Sequence, residues 1–417
     1  MSRSSRTRRP AALLASAIAL SATLSGCGFL GIGGEDPGDI QVYSARHYDL
    51  EDAFVEFEEE TGLQVDFIFG DDAELLERLK SEGDESPADM FVTVDAGNLW
   101  NAAEQGVLRP VDSQVLRDSI PAEYRDPNNE WFGLALRART VVYNPDNVDP
   151  AELDTEDTYA GLTDPRWKGR LCMRDSTEAY TQSLVASLID LHGEERTREI
   201  VQGWLDNDVD IMSNDIELLE AVDAGTCDVA IVNHYYFARE LDEKPDMNVK
   251  LFWASQDGAG THVNISGAGI TKSSDAPKKA QRLLEWLASD GQQAFVGGNH
   301  EYPVNPDVAP DDVVAEFGEF DPMPVDAKAY GSLNPEATDL LAEVGYECRS
   351  PRPRSRGRVR VPAGRPGRVA PPGPRSPSWS RSSSRARCSR SWSTGWSTAV
   401  TPRCRAASAA WSSPRCC

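Results

Sequence analysis

Apolar and polar positions follow two different periods along the first third of the chain. The segments 39–43, 65–69 and 89–94 have the short apolar runs or the alternation expected of β-strands. Between them, 50–61 and 72–81 carry apolar residues at helical spacing. The order strand, helix, strand, helix, strand predicts a mainly parallel, doubly wound sheet.

A second α/β unit is predicted from about 141 to 238. The chain enters it through 131–143, a β-rich run long enough to pass from one lobe of a protein to another. Three helices are predicted in this unit, at 177–192, 194–205 and 214–224.

The chain is then predicted to return to the first unit. The segments 249–253 and 263–270 have the pattern of returning strands, and 276–289 is an amphipathic helix. A last helix is predicted at 334–344, and the globular region is expected to end near Tyr346.

The first 27 residues have the pattern of a secretory signal peptide. Arginines lie near the start, an apolar stretch runs from 11 to 24, and a cysteine, Cys27, follows small residues. This ending resembles the lipobox of bacterial lipoproteins, in which Cys27 becomes lipidated; an uncleaved anchor helix is the alternative. Both interpretations place the rest outside the cytoplasmic membrane, attached through the lipid or the helix, with 28–38 as a flexible tether.

Composition changes abruptly near residue 347. From Arg349 onward the chain contains no Leu, Ile, Phe, Tyr, Lys, Asp or Glu. Such a segment has little with which to offset the entropy lost on ordering, so disorder is expected for 347–417. An Arg-rich tail could bind nucleic acid or anionic lipid. The sudden bias is more typical of a GC-rich gene read out of frame.

The tail hides the charge of the folded part. Sixteen of the 42 basic residues lie in it, so the first 348 residues carry a net charge of −41. This acidity argues against nucleic-acid binding by the folded part and favours a cationic ligand.

The folded region contains two cysteines, Cys172 and Cys227. In an oxidising compartment they either form a disulfide or remain two buried thiols.

Phenol and imidazole side chains recur near predicted strand ends and helix starts. His47 and Tyr48 follow the first strand, Tyr180 lies in the first turn of a helix, and Tyr235 and Tyr236 follow a buried strand. A tyrosine titrates near pH ~10, so a phenolate at neutral pH needs a strong Lewis acid. Ferric iron favours such anionic oxygen ligands. Each residue alone is more typical of packing, but the combination favours an iron site.

Five segments resemble the ferric-ion-binding proteins of bacterial iron ABC transporters. They occur in the same order as in that family: VYSARHY at 42–48, RDSTEAYTQSLVASLI at 174–189, CDVAIVNHYYFAR at 227–239, HVNISGAGI at 262–270 and EYPVNP at 301–306. The resemblance covers the predicted globular region, 39–346. It implies a two-lobed, type II periplasmic-binding-protein-like α/β fold, in which each lobe is a doubly wound sheet and the ligand cleft lies between the lobes.

The same resemblance implies the lobe boundaries and the site. The first lobe is expected at about 39–136 and 249–310, the second at about 141–240, and C-terminal helices at about 311–346. Fe(III) is the implied transported ligand, and its implied protein ligands are His47, Tyr48, Tyr180, Tyr235 and Tyr236.

An anion such as carbonate completes the shell in some subgroups of the family. Arg137 is the candidate contact for it, with Arg46 and Arg139 behind it, because a guanidinium matches an oxyanion. Salt bridging in a very acidic protein is the equal alternative for all three. His234 departs from the family pattern and is interpreted as structural or solvent-facing rather than as a ligand.

The resemblance implies a monomeric binding protein, not an enzyme, that delivers iron to an ABC permease with its ATPase and has no nucleic-acid partner. The same fold also carries polyamines, thiamine, sulfate and phosphonates, and this acidic chain could supply the carboxylates and aromatic walls of a polyamine site. A lipid-anchored enzyme is a second alternative, but the sequence has no HExxH, GxSxG or P-loop motif. A scaffold with vestigial ligands is a third.

Overall fold

The computed structural model describes residues 38–46 and 51–347. Within these ranges ten strands form one mixed sheet: β1 (Ile40–Ser44), β2 (Val65–Phe69), β3 (Met90–Thr93), β4 (Phe132–Tyr143), β5 (Leu171–Arg174), β6 (Asp210–Met212), β7 (Val229–Asn233), β8 (Lys250–Phe252), β9 (Val263–Ile270) and β10 (Tyr302–Pro303). The predicted α/β class is confirmed. Over the same ranges, no helix is long and apolar enough to cross a membrane.

The α-helices of the described ranges cover the sheet. They are α1 (Glu51–Thr61), α2 (Asp72–Glu82), α3 (Ala96–Glu104), α4 (Gln114–Ser119), α5 (Thr158–Gly161), α6 (Ala179–His192), α7 (Glu194–Asp206), α8 (Asp215–Asp223), α9 (His234–Glu243), α10 (Pro277–Ala288), α11 (Gln292–Gly297), α12 (Asp312–Ala315) and α13 (Ala327–Glu343).

The first lobe is built on the parallel strands predicted from the N-terminal pattern. β1 lies between β2 and β3 and is parallel to both, and β9 pairs antiparallel with β3. Successive residues of β1 point to opposite faces, so Val42 packs in a cluster with Phe54 of α1 and Tyr43 packs in a cluster with Leu75 of α2. The sheet therefore has a helix-covered core on each face.

The long strand β4 runs through both lobes, as the length of the 131–143 run predicted. Residues 132–138 pair antiparallel with β9, and residues 139–143 pair antiparallel with β7. Beyond β7 the second lobe continues with β5 and β6, which are parallel. One continuous backbone thus joins the two halves of the sheet.

β8 belongs to the second lobe, which corrects the prediction for 249–253. Lys250–Phe252 pairs antiparallel with Val141–Tyr143 of β4, whereas this segment was expected to return to the first unit. An apolar run identifies a strand but does not specify which sheet edge will receive it. The chain re-enters the first lobe at β9, so the expected boundary near 249 moves to about residue 263.

α13 is longer than the helix predicted at 334–344. It begins at Ala327, because packing overrides the low helical propensity of Gly331 and Pro335, which both lie inside it. A Cβ at Gly331 would lie 2.8 Å from the carbonyl oxygen of Gly97 in α3. The two glycines let the helices meet backbone to backbone.

The two halves of α13 contribute to different hydrophobic cores. Tyr330 packs in a first-lobe cluster with Leu99 of α3. Leu340 and Leu341 pack in a second-lobe cluster that includes Leu184 of α6. α13 therefore connects the lobes, in addition to β4 and the segment between β8 and β9.

A disulfide joins Cys172 of β5 to Cys227, which lies two residues before β7, with Cα atoms 5.9 Å apart. The structure thus contains the disulfide rather than the two buried thiols that the sequence left as the alternative. β5 and β7 are adjacent and parallel. The bond ties together the strands that lead into α6 and α9.

Candidate metal centre

A cleft of about 540 Å³ lies between the two lobes. Its walls come largely from strand ends and the first turns of helices, where open α/β sheets bind ligands. The first lobe contributes Ala45, Arg46, Asp71, Asp72, Ala73, Val94 and Asn98. The second lobe contributes Arg174, Thr177, Glu178, Ala179, Tyr180, Gln182 and Tyr236, and α13 adds Asn334.

The buried strand predicted before Tyr235 and Tyr236 is present and ends at Asn233. β7 is buried along its whole length and ends at Asn233, and α9 begins at the next residue. Tyr235 and Tyr236 therefore lie in the first turn of a helix rather than on opposite faces of a strand, and their ring centroids are 4.4 Å apart. Tyr235 is completely buried, and Tyr236 lines the cleft.

Tyr180 approaches this pair from α6, of which it is the second residue. Arg137 Nη1 donates a hydrogen bond to Tyr180 Oη over 3.3 Å. The guanidinium carbon of Arg137 also lies 5.2 Å from the ring centroid of Tyr235. Three of the five predicted tyrosine and histidine ligands therefore meet at the cleft.

The phenol of Tyr235 is held in its neutral form. Burial, followed by the neighbouring Tyr180 and Tyr236, raises its pKa well above the ordinary value, although Arg137 acts in the opposite direction. A phenolate at this position therefore requires a cation in direct contact with the oxygen.

Three predicted site residues lie outside the described residues: the candidate ligands His47 and Tyr48 and the candidate lipidation site Cys27. The predicted signal peptide and nearly all of the predicted tether and tail lie outside them as well. Arg46, directly before His47, is described; it is buried and lines the cleft.

The three candidate anion contacts are all paired with buried carboxylates. Arg46 Nη1 lies 2.7 Å from Glu301 Oε2, and Arg137 Nε lies 2.6 Å from Glu301 Oε1. Arg139 Nη1 lies 3.2 Å from Asp215 Oδ2. Burial would raise the pKa of Glu301, but Arg137 and Arg46 outweigh it and hold the pKa below its usual value. These ion pairs are the salt bridges that the sequence offered as the alternative to anion binding by the three arginines. Among the described residues, Arg137 Nη2 has no hydrogen-bond partner.

The sequence pattern did not single out Arg174, Asp215 or Glu301, although all three contribute to the site. Arg174 ends β5, and its guanidinium carbon lies 5.3 Å from the ring centroid of Tyr180. Burial opposes its charge, but Asp215 and Glu178 outweigh burial and raise the pKa of Arg174. Two of the three lie in segments that resemble the ferric-ion-binding proteins, because RDSTEAY begins at Arg174 and EYPVNP begins at Glu301.

His234 occupies a structural position at the start of α9. It is completely buried, and its Nδ1 accepts a hydrogen bond from the backbone N–H of Ala138 in β4 over 3.1 Å. Burial lowers its pKa to about 4, so the ring is neutral at physiological pH. Its ring centroid lies 4.8 Å from that of Tyr302. This geometry agrees with the structural interpretation of His234.

Oxygen donors dominate the chemistry of the cleft. Within residues 38–46 and 51–347, no group of three or more His, Cys, Asp or Glu side chains is arranged to hold a metal ion. The three phenols become anionic oxygen ligands once deprotonated, and hard, highly charged cations prefer such ligands. The donor set fits a hard trivalent ion.

Comparison with known proteins places the chain in a family. Residues 85–317 match the family model described as bacterial extracellular solute-binding protein. Iron uptake protein A1 of Synechocystis sp. is 41% identical over 325 residues, which cover 75% of this chain and 89% of that protein. The Fe(3+)-binding periplasmic protein of Serratia marcescens is 30% identical over 312 residues, which cover 73% of this chain and 90% of that protein.

Solved structures agree with this placement. The structure of a Trichodesmium protein (IdiA, FutA) in complex with iron and citrate has a TM-score of 0.69 and 42% identity, covering 74% of this chain and 99% of that chain. Apo ferric ion-binding protein A of Pasteurella haemolytica has a TM-score of 0.69 and 33% identity, covering 74% and 98%. The expected two-lobed fold is confirmed. The chain belongs to the bacterial extracellular solute-binding proteins and is a relative of the ferric-ion-binding proteins among them.

Proposed function

We propose that this protein captures Fe(III) in the cleft between its lobes and delivers it to an ABC permease with its ATPase. The observation that carries the proposal is the meeting of Tyr180, Tyr235 and Tyr236 at the cleft, from two different helices. Relatives that are iron uptake and Fe(3+)-binding proteins support it. His47 and Tyr48 are proposed to complete the shell from the first lobe.

Iron binding by phenols releases protons. Each tyrosine must lose its proton to become a ligand, and the raised pKa of Tyr235 means that the cation must supply the driving force. Arg137 lies beside two of the phenols and favours their anionic forms. A site of this kind selects a small, highly charged cation over weaker Lewis acids.

A carbonate or another synergistic anion is part of the proposal, with Arg137 as its contact. All three arginines are paired with buried carboxylates, and Arg137 is preferred because its Nη1 also donates to the candidate ligand Tyr180. Arg137 has a buried Nη2 without a hydrogen-bond partner among the described residues. A guanidinium N–H of this kind suits an oxyanion placed beside the metal.

Division of the ligands between the lobes supplies a closing mechanism. An open form offers only part of the shell, and the remaining ligands reach the ion when the lobes approach each other. The difference in affinity between the two forms shifts the population toward the closed form, which docks on the permease. Asp71, Asp72 and Glu178 line the cleft and attract cations into it.

The proposed site of action is the outer side of the cytoplasmic membrane. A lipid on Cys27 would hold the protein there, and the N-terminal sequence pattern supports this anchor. The protein is proposed to act as a monomer and to have no catalytic activity.

Titration of the purified protein with Fe(III), supplied as its nitrilotriacetate chelate, tests the proposal. A visible phenolate-to-iron charge-transfer band should appear and saturate at equimolar iron. The double replacement Tyr235→Phe/Tyr236→Phe should abolish the band. Tyr43→Phe is the matched control and should leave it unchanged, because Tyr43 is buried in the first lobe, where its hydroxyl donates to Glu82.

The opposite result also has a clear meaning. A folded wild-type protein that gives no band at neutral pH would refute the iron proposal. Polyamines would then be the first ligands to screen, because the cleft combines carboxylates with aromatic walls.

A further inference from the structure

Asp215, the first residue of α8, is a completely buried carboxylate that the proposed function does not use. Its Oδ2 accepts hydrogen bonds from Asn233 N over 2.9 Å and from Arg139 Nη1 over 3.2 Å. Its Oδ1 lies 3.5 Å from Arg174 Nη1. An isolated carboxylate here would be strongly destabilising, and the two hydrogen bonds together with the ion pair to Arg174 offset that cost.

One arm of this cluster reaches Tyr180. Arg174 Nη2 lies 3.1 Å from Glu178 Oε2, and the guanidinium carbon lies 5.3 Å from the ring centroid of Tyr180. Glu178 and Tyr180 belong to the start of α6. The guanidinium therefore connects Asp215 to the first turn of that helix and forms part of the surface on which the Tyr180 ring packs.

The other arm reaches Tyr235. The backbone N–H of Asn233 donates to Asp215, and the side-chain amide of Asn233 donates to Tyr235 Oη over 3.3 Å. Asn233 is the last residue of β7. Its bond to Asp215 therefore fixes the point at which the chain turns into α9.

Tyr180 and Tyr235 lie on helices that follow different strands, and Asp215 contacts the residue that supports each of them, through an ion pair with Arg174 and a hydrogen bond from Asn233. We infer that Asp215 is a positioning residue that sets the distance between these two phenols, so that the second lobe presents a preformed half of the metal shell. The inference rests on the proposed function, since that distance matters for binding only if both phenols contact one ion. Strand pairing and the disulfide fix β5 and β7, whereas Asp215 fixes the side chains.

Fluorine NMR of the apoprotein labelled with 3-fluorotyrosine tests the positioning without iron. Tyr180→Phe and Tyr235→Phe assign the two resonances. Asp215→Asn should shift both, because the asparagine amide presents a donor to an arginine where the carboxylate presented an acceptor. Both arms of the cluster would then rearrange.

Asp89→Asn is the matched control. Asp89 is a buried carboxylate of the first lobe, away from the cleft lining. It accepts hydrogen bonds from Gln41 N, Ser274 Oγ and Ala276 N. Its replacement removes a comparable buried charge and should shift neither resonance.

Fe(III) titration then measures the consequence for binding. Asp215→Asn should weaken the affinity about 10- to 100-fold, the usual effect of removing a residue that orients a metal ligand, and should shift the charge-transfer band. Arg174→Lys keeps the charge but loses the planar contacts with Glu178 and Tyr180. It should weaken binding in the wild-type background and have no further effect in Tyr180→Phe.

Unchanged resonances of Tyr180 and Tyr235 in folded Asp215→Asn would overturn the inference. If Asp215→Asn does not fold, Arg174→Lys decides: an equal loss of affinity in the wild-type and Tyr180→Phe backgrounds would overturn it. Absence of a charge-transfer band in the wild type would refute the proposed function, and the fluorine shifts would still decide whether Asp215 positions the two phenols.

Discussion

His262 is a buried residue directly before β9, and its imidazole packs against α6 and α13. Its Nε2 lies 3.3 Å from Ser183 Oγ of α6, and its Nδ1 lies 3.4 Å from the hydroxyl of Tyr330 in α13. Burial, followed by the charge of Arg139, lowers its pKa to about 3. The folded protein therefore keeps this ring neutral in mild acid.

This imidazole should make the folded state less stable as the pH falls. In the unfolded chain the pKa returns to 6.5, so below pH 6.5 the unfolded state binds a proton that the folded state rejects until about pH 3. The contribution of His262 to the free energy of unfolding is complete above pH 6.5 and declines by up to roughly 1.4 kcal/mol per pH unit below it. Urea unfolding between about pH 7 and pH 4.5 measures the decline.

The comparison variant for this prediction is His262→Gln, which cannot take up the proton. Its free energy of unfolding should fall less steeply with decreasing pH than that of the wild type. Parallel declines in the two proteins would show that His262 does not cause the effect.

At the level of single residues, the sequence revealed the tyrosines of the site but not the charges that hold them. Tyr235 and Tyr236 could be located because the apolar run of the predicted strand ends just before them. Asp215 and Glu301 are two of 67 acidic residues; Glu301 begins the EYPVNP segment, but no sequence feature shows that either side chain is buried. Their burial results from tertiary contacts with arginines that are distant in the chain.

At the scale of elements, the crossing of α3 and α13 shows how two glycines set the distance between helices. Gly97 and Gly331 face each other across this crossing. A side chain on either would separate the helices, because the opposing atoms include backbone atoms that cannot rotate away. The first-lobe half of α13 depends on this approach.

Gly331→Ala should therefore destabilise the protein, although alanine is the better helix former. The new Cβ would overlap the ring of Trp100 and lie 2.8 Å from the Gly97 carbonyl oxygen. Overpacking of this kind costs about 1–3 kcal/mol, against a gain of about 1 kcal/mol in helical propensity, so the expected net loss reaches about 2 kcal/mol, because part of the overlap is with backbone atoms that cannot rotate away. Thermal unfolding should show a lower Tm than for Ser332→Ala, an exposed neighbour on the same helix. Equal Tm values would contradict the packing argument.

Local pattern determined some elements and not others. β1 to β3 and the end of β7 could be predicted because their periodicity or its interruption lies within a few residues, whereas the helix α9 that follows β7 was not predicted. The partner of β8 and the start of α13 could not, because strand pairing and helix packing depend on residues far away in the chain. Ala327 to Leu333 is helical through its contact with α3 rather than through its own propensity.

At the scale of the whole molecule, the described segments that join the lobes include β4, the residues between β8 and β9, and α13. The proposed closure of the cleft would bend all three. Pro335 lies in α13 between the half that packs on the first lobe and the half that packs on the second. Proline leaves one helical hydrogen bond unmade, so the helix is weakest where the two halves meet.

Fe(III) should make the molecule more compact. Small-angle X-ray scattering should show a smaller radius of gyration for the iron-loaded wild type than for the apoprotein, since the proposed ligands from both lobes would have to reach one ion. Tyr180→Phe removes a proposed second-lobe ligand and should reduce the change at the same iron concentration. Saturation of the charge-transfer band without any change in the radius of gyration would refute closure while leaving iron binding intact.

The position of Tyr346 has a consequence for the timing of export. Its buried hydroxyl donates to the carbonyl oxygen of Arg174 over 3.0 Å, at the end of the strand that leads to Tyr180. For a chain threaded through a translocation channel with its N-terminus first, Ile40 emerges early and Tyr346 late. The second-lobe core lacks Leu340 and Leu341 until this late segment has emerged, so the cleft is one of the last parts of the folded region to be completed.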